Sequence, residues 1–275
     1  MYEREWPRSR YWLAHFLNFR HMRAKIDWSA PGELPAPLAQ PVADWLAWVA
    51  QVNEPSRQRM LAWSLRDCAD DPAYVQSLRL FVKEEQHHTA IINRWLSQRD
   101  LAGKPCGALR AVMRRVIRPL GLRFELSVLL LGEIVTVTMN RLVLDAATRM
   151  DQAGHPPADA ALTGVLRQLI AEHQVHLTFH SERLTAEFAD FNFIRRNLRR
   201  MRLRGMFAAL VAGVARHHRA LLAVIGCPRR RFADQAWALF SAVLERMVPY
   251  RREELMATLL EQREKRFEKP MAMQR

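Results

Sequence analysis

Phe81-Val82-Lys83-Glu84-Glu85-Gln86-His87-His88 reads as the middle of one long helix. Around it Tyr74, Leu78, Phe81, Glu85, His88, Ile92 and Trp95 recur at spacings of three and four, so they share one face. That face is apolar except for Glu85 and His88. A carboxylate and an imidazole at i and i+3 stand one above the other, the arrangement with which a helical bundle holds a metal in its interior. A second stretch, Glu172-His173-Gln174-Val175-His176, nearly repeats the first, on a stripe of Leu162, Leu166, Leu169, His173, His176, His180 and Leu184. Where the first copy has Glu85, the second has His173.

The same helical spacing runs through 42–65, 74–96, 118–147, 159–188, 205–225 and 233–248. Breakers separate these segments: Ala69-Asp70-Asp71-Pro72, Gly103-Lys104-Pro105, residues 151–157, and Gly226-Cys227-Pro228. No alternating strand pattern of useful length is present. The sequence therefore predicts an all-α fold built on a four-helix bundle. A helical arm with Pro31, Pro35 and Pro37 spans 1–40, the bundle 41–190, and two additional C-terminal helices packed on the same domain 191–275.

Depth along the helices picks out the inward polar residues. Glu54 lies about 16 residues before the turn near Asp70 and Glu85 about 15 after it, so both sit ~23 Å from that turn. Glu133 lies about 16 residues before the helix end near Arg149, and His173 about 14 after Asp159, a candidate N-cap. Four helices thus place Glu54, Glu85 with His88, Glu133, and His173 with His176 in one layer. Glu84 and His87 fall on a face shared with Ser77 and Arg94, which points to solvent or to a position behind the ligands. On the last helix Glu172 and His173 both lie within reach of the layer, and the apolar stripe favours His173. His180, one turn on, either orients a ligand or packs in the core. The His217-His218 pair lies outside the four-helix set and reads as structural.

Composition narrows the class. In 275 residues about half are apolar and glycine is scarce, which allows a sizeable core. Three scattered cysteines, Cys68, Cys106 and Cys227, form no Cys-x-x-Cys pair, which argues against a disulfide framework or a zinc site and suggests a reducing compartment. No secretory leader is recognisable, and charges interrupt every long apolar run, so the expectation is a cytoplasmic protein without a membrane span. The net charge of +14 comes mostly from arginine, with clusters at 195–204 and 229–231. Without a nucleic-acid signature or interleaved aromatics, nucleic acid is not the expected partner.

Taken together, these segments resemble the bacterial ferritin-like proteins. Gln51-Val52-Asn53-Glu54 is similar to that family's first-helix ligand motif, and Asp71-Pro72-Ala73-Tyr74 through His88 to the second. Glu125-Leu126 through Glu133-Ile134 resembles the third, and Leu169 through His180 follows the fourth, whose usual form is Asp-Glu-x-x-His-x-x-Phe-His. The resemblance spans about residues 42–250. It implies a carboxylate-bridged pair of iron ions, with manganese or a mixed pair as variants, often used to activate dioxygen. The implied ligands are Glu54, Glu85, His88, Glu133, His173 and His176.

Three departures qualify the resemblance. His173 stands where the family has a glutamate, so three carboxylates rather than four face two divalent ions. An imidazole nitrogen also cannot bridge two metals. Pro55, directly after Glu54, is expected to bend the first helix at the site or to signal loss of that ligand. Met139 and Asn140 stand in a region where several relatives have tyrosine. The leading expectation is a non-haem di-iron oxidase or oxygenase acting with dioxygen on a small organic molecule, served by an electron donor and compatible with a homodimer. The alternative is a non-catalytic scaffold with a degenerate metal site that acts through its basic surface. Iron storage is the third reading.

Overall fold

The computed structural model describes residues 6–19, 25–29, 34–52, 54–104, 121–152, 159–189 and 191–248. Among the described residues every regular element is a helix, as the sequence predicts. The remainder of the proline-bearing arm and residues 249–275 of the expected C-terminal region lie outside them.

The first bundle helix, expected over 42–65, is divided into α2 (Ala36–Val52) and α3 (Glu54–Asp67), after the leading helix α1 (Ser9–Phe19). Pro55 is the second residue of α3. There a missing N–H breaks no helical hydrogen bond, and the fixed φ of proline favours a helix start. Then follow α4 (Pro72–Gln98), α5 (Leu122–Gln152) and α6 (Ala160–Phe188). The C-terminal part comprises α7 (Phe193–His217), the short α8 (Arg219–Val224) and α9 (Arg229–Met247).

Two aspartates set the register of the bundle. Asp71 caps α4 by accepting from Tyr74 N at 2.9 Å, and Pro72 follows as its first residue. The same carboxylate accepts from Trp6 N and Ser9 Oγ, which ties the N-terminal segment to the head of α4. Asp159 caps α6 by accepting from Leu162 N at 3.0 Å, and also takes Trp95 Nε1 and Arg99 Nε from the far end of α4, each at 2.9 Å. Arg183, near the end of α6, lies 4.0 Å from Asp71 at the start of α4. The two helices are therefore antiparallel, each capped beside the other's tail. Fourteen residues separate Asp71 from Glu85, and fourteen separate Asp159 from His173. Since α4 has 27 residues, both motifs fall at its mid-length and therefore at equal depth.

The other helices enclose that pair. α5 packs along α6, α9 closes over both, α3 lies against α4 and α5, and α1 covers α4. Trp45 Nε1 on α2 donates to Asn140 Oδ1 on α5 at 2.8 Å, so Asn140 answers a buried indole. Arg59 Nε on α3 bonds Glu125 Oε1 on α5 at 2.7 Å. By length and composition α5 is apolar enough to cross a bilayer, but most of its apolar stretch is buried against neighbouring helices. It is the core helix of the bundle.

Candidate metal centre

Glu85, His88, Glu133, His173 and His176 come together from α4, α5 and α6, all almost wholly buried. Their donor atoms form two groups, Glu85 with His88 and His173, and Glu85 with Glu133 and His176, each within 4.8 Å of one another. Glu85 is common to both. Its Oε1 lies 3.0 Å from His88 Nδ1, 3.6 Å from His173 Nε2 and 3.4 Å from His176 Nδ1. Glu133 Oε1 stands 3.8 Å from His176 Nδ1 and 3.5 Å from His180 Nε2.

The back of each histidine is held. His88 Nε2 meets Glu172 Oε2 at 2.6 Å, and Gln168 Nε2 steadies Glu172 by donating to its Oε1 at 2.8 Å. His176 Nε2 meets Glu84 Oε2 at 3.0 Å. The pairing is reciprocal: the carboxylate preceding each motif supports the histidine that ends the other. His173 Nδ1 lies 2.6 Å from the carbonyl of Leu169, one turn back on its own helix. A carbonyl can only accept, so Nδ1 carries the proton and the Nε2 lone pair faces Glu85. A histidine that donates one N–H to a carboxylate or carbonyl and turns its other nitrogen inward is oriented as a metal ligand.

Orphaned atoms supply the test of fit. Both oxygens of Glu133, Nε2 of His173 and Nδ1 of His176 are buried and make no hydrogen bond. Buried polar atoms are rarely left so, and an uncompensated buried carboxylate costs several kcal/mol. These four atoms belong to residues of the two donor groups, and a cation would satisfy them together. The residues fit a metal.

Electrostatics agree. Burial opposes the charge on Glu85, but His176, His88 and His173 outweigh it and hold the carboxyl well below its usual range. For His176 burial again opposes charge, yet Glu84, Glu85 and Glu133 push its pKa up to about 10. His88 is raised against burial by Glu172 and Glu85. His173, supported by a carbonyl and not a carboxylate, is brought down by burial to about 4 and is neutral at pH 7. Aromatic rings seal the cluster. Phe81 packs edge-on to His176 and His180, each at 4.7 Å, and Phe16 of α1 lies 6.3 Å from His176. Phe179 joins Phe16 to Trp12 and Trp6.

Five of the six ligands expected from sequence thus meet in one cluster. The sixth, Glu54, opens α3, and its side chain lies outside the described residues. Glu84 takes the supporting position behind His176, whereas His87 is half-buried beside a surface cleft. The choice between His173 and Glu172 resolves into both. His173 faces Glu85, and Glu172 faces His88 from behind. Sequence reasoning missed Gln168 and the α1 aromatics. Gln168 lies one turn before Glu172, a spacing that signals the contact; Phe16 has no such local signal. Comparisons with protein-family models, with curated proteins and with solved structures give no match, so the metal reading stands on this chain's own motifs and geometry.

Proposed function

We propose that the chain is a ferritin-like protein that holds two transition-metal ions and works as a non-haem oxidase or oxygenase on a small organic substrate. The observation that carries this reading is the sharing of Glu85 by both donor groups, the position of a bridging carboxylate. Mixed imidazole and carboxylate donors suit iron or manganese. Charge supports a pair. Glu84, Glu85, Glu133 and Glu172 are all buried around the cluster, and their four negative charges match two divalent ions. Counting the supporting carboxylates removes the deficit that His173 leaves when ligands alone are counted.

Each residue has a definable part. Glu85 would hold both ions, Glu133 and His176 would complete one position, and His88 and His173 would complete the other. Glu84 and Glu172 fix the outer imidazole protons of His176 and His88, so that a bound cation would take the place of the inner protons that face Glu85. Phe16, Phe81 and Phe179 keep water from the cluster. A cleft of about 540 Å³, lined by Ile26, Trp28, His87, Ile91, Arg94 and Gln168, opens on the outer side of the Gln168–Glu172–His88 chain and offers a place for an organic molecule. A ferrous pair bound here would supply the reductive activation of dioxygen, with electrons from a separate donor.

The competing reading is a scaffold in which metal is purely structural. The complete burial of the donors and the histidine in place of a bridging glutamate favour it. Anaerobic reconstitution with Fe(II) followed by admission of air separates the two. The oxygenase reading expects oxygen uptake in proportion to bound iron. Bound iron without uptake establishes the scaffold, and fewer than one iron per chain overturns both.

A further inference from the structure

The outer face of α7 has a composition that no role in the core explains. Its inner face, Leu203, Phe207, Val211 and Val214, is buried in the bundle. Its outer face carries three of the most exposed large apolar side chains of the described residues, Ile194 at 61%, Leu198 at 45% and Met201 at 68%. These stand at spacings of four and three, so they form one ridge. Gly205, Ala208, Ala209 and Ala212, all exposed, continue that ridge without a charged residue on its crest. The apolar crest runs from Ile194 to Ala212, about 27 Å at 1.5 Å per residue.

Arginines flank the ridge. α7 contains no acidic residue. Arg196 is tied back to the carbonyls of Phe191 and Ala189, Arg199 to Ser127 Oγ, and Arg200 to Glu245 and the carbonyl of Val248. Arg195, Arg202 and Arg204 are exposed beside the crest, and none has an acidic partner among the described residues; Arg216, also exposed, marks its C-terminal end. A surface helix normally turns its polar face to water; this one turns an apolar crest outward between basic shoulders. That is the pattern of a helix lying in the plane of an anionic bilayer, crest among the acyl chains and guanidinium groups among the headgroups.

We propose that α7 is a docking surface for anionic lipid membranes. The apolar crest offers phosphates nothing, which disfavours nucleic acid. A second copy would set arginine against arginine along both shoulders, which disfavours self-association. The proposal is independent of the metal centre.

Sedimentation of the full-length protein with vesicles tests it, using phosphatidylcholine alone and phosphatidylcholine with about a third phosphatidylglycerol. The expected result is binding to the anionic vesicles only, weakened by salt. Leu198→Glu with Met201→Glu should reduce that binding by at least about tenfold, since each change removes an apolar contact and adds a repelled charge. These positions are exposed, so far-UV circular dichroism and the melting temperature should stay at wild-type values. Arg202→Gln with Arg204→Gln, which leaves the crest intact, should weaken binding severalfold. Equal binding of wild type to both vesicles, wild-type binding by the crest variant, or binding to an RNA homopolymer without binding to vesicles would each overturn the proposal.

Discussion

The α4 and α6 halves of the cluster share depth and sequence pattern, and differ in one side chain. On α4, Glu85 has a carboxylate that reaches both donor groups. On α6, His173 reaches only the group that contains His88. The difference teaches that a near-repeat in sequence need not give two equal halves. In the proposed site one helix supplies the carboxylate common to both positions, while the other supplies an extra nitrogen to one of them. It also changes how charge is balanced, because the burden shifts from ligands to the supporting residues Glu84 and Glu172.

Removing the shared group should have the largest effect. Glu85→Ala should lose all tightly bound metal, read by elemental analysis, and with it the metal-dependent part of the melting temperature, several degrees at saturating metal. Glu133→Ala should be milder and selective. It removes a ligand from the His176 group alone, so about half of the metal should remain. Retention of two ions by either variant would break the proposed division of the site.

Most of the fold can be read from the sequence, since a buried stripe at spacings of three and four is a local property. The exceptions have physical causes. Pro55 sits within an apolar pattern that continues across it, so the division into α2 and α3 is hidden from periodicity. The first half of α7 reads only as an arginine cluster, because its apolar residues face outward. At the site, depth and register identify Glu85, His88, Glu133, His173 and His176. The reciprocal bonds of Glu84 to His176 and Glu172 to His88 span 92 and 84 residues of chain, and no local pattern encodes them.

Restoring the missing symmetry sharpens the comparison. His173→Glu should raise affinity for the second ion by roughly tenfold, because a second carboxylate can then bridge, as read by competition with a chelator. A comparable loss is expected from Glu172→Gln, which weakens the support of His88 and should lower metal affinity roughly 10–100-fold while the fold persists. No change in affinity would show that His88 is not a ligand.

The smallest effect concerns a buried histidine with no hydrogen-bonded carboxylate behind it. His218 packs edge-on against Trp45 and Trp48, at 5.0 and 5.6 Å. Burial first, then the neighbouring His217, brings its pKa down to about 4, with Asp44 opposing and Lys104 reinforcing the shift. The unfolded chain therefore takes up this proton before the folded one does. The stability His218 contributes is complete above about pH 6.5 and is lost as pH falls toward 4. Relative to His218→Phe, the wild type should lose about 1 kcal/mol between pH 7 and 5.5, measured by urea unfolding. A flat difference would place His218 in contact with solvent.

A pair of metals joined by Glu85 is the central claim, and metal stoichiometry tests it most directly. Elemental analysis of protein purified from its native host, paired with Glu85→Ala treated identically, should give two transition-metal ions per chain in the wild type and none in the variant. Fewer than one ion in the wild type, or the same content in both proteins, would contradict it.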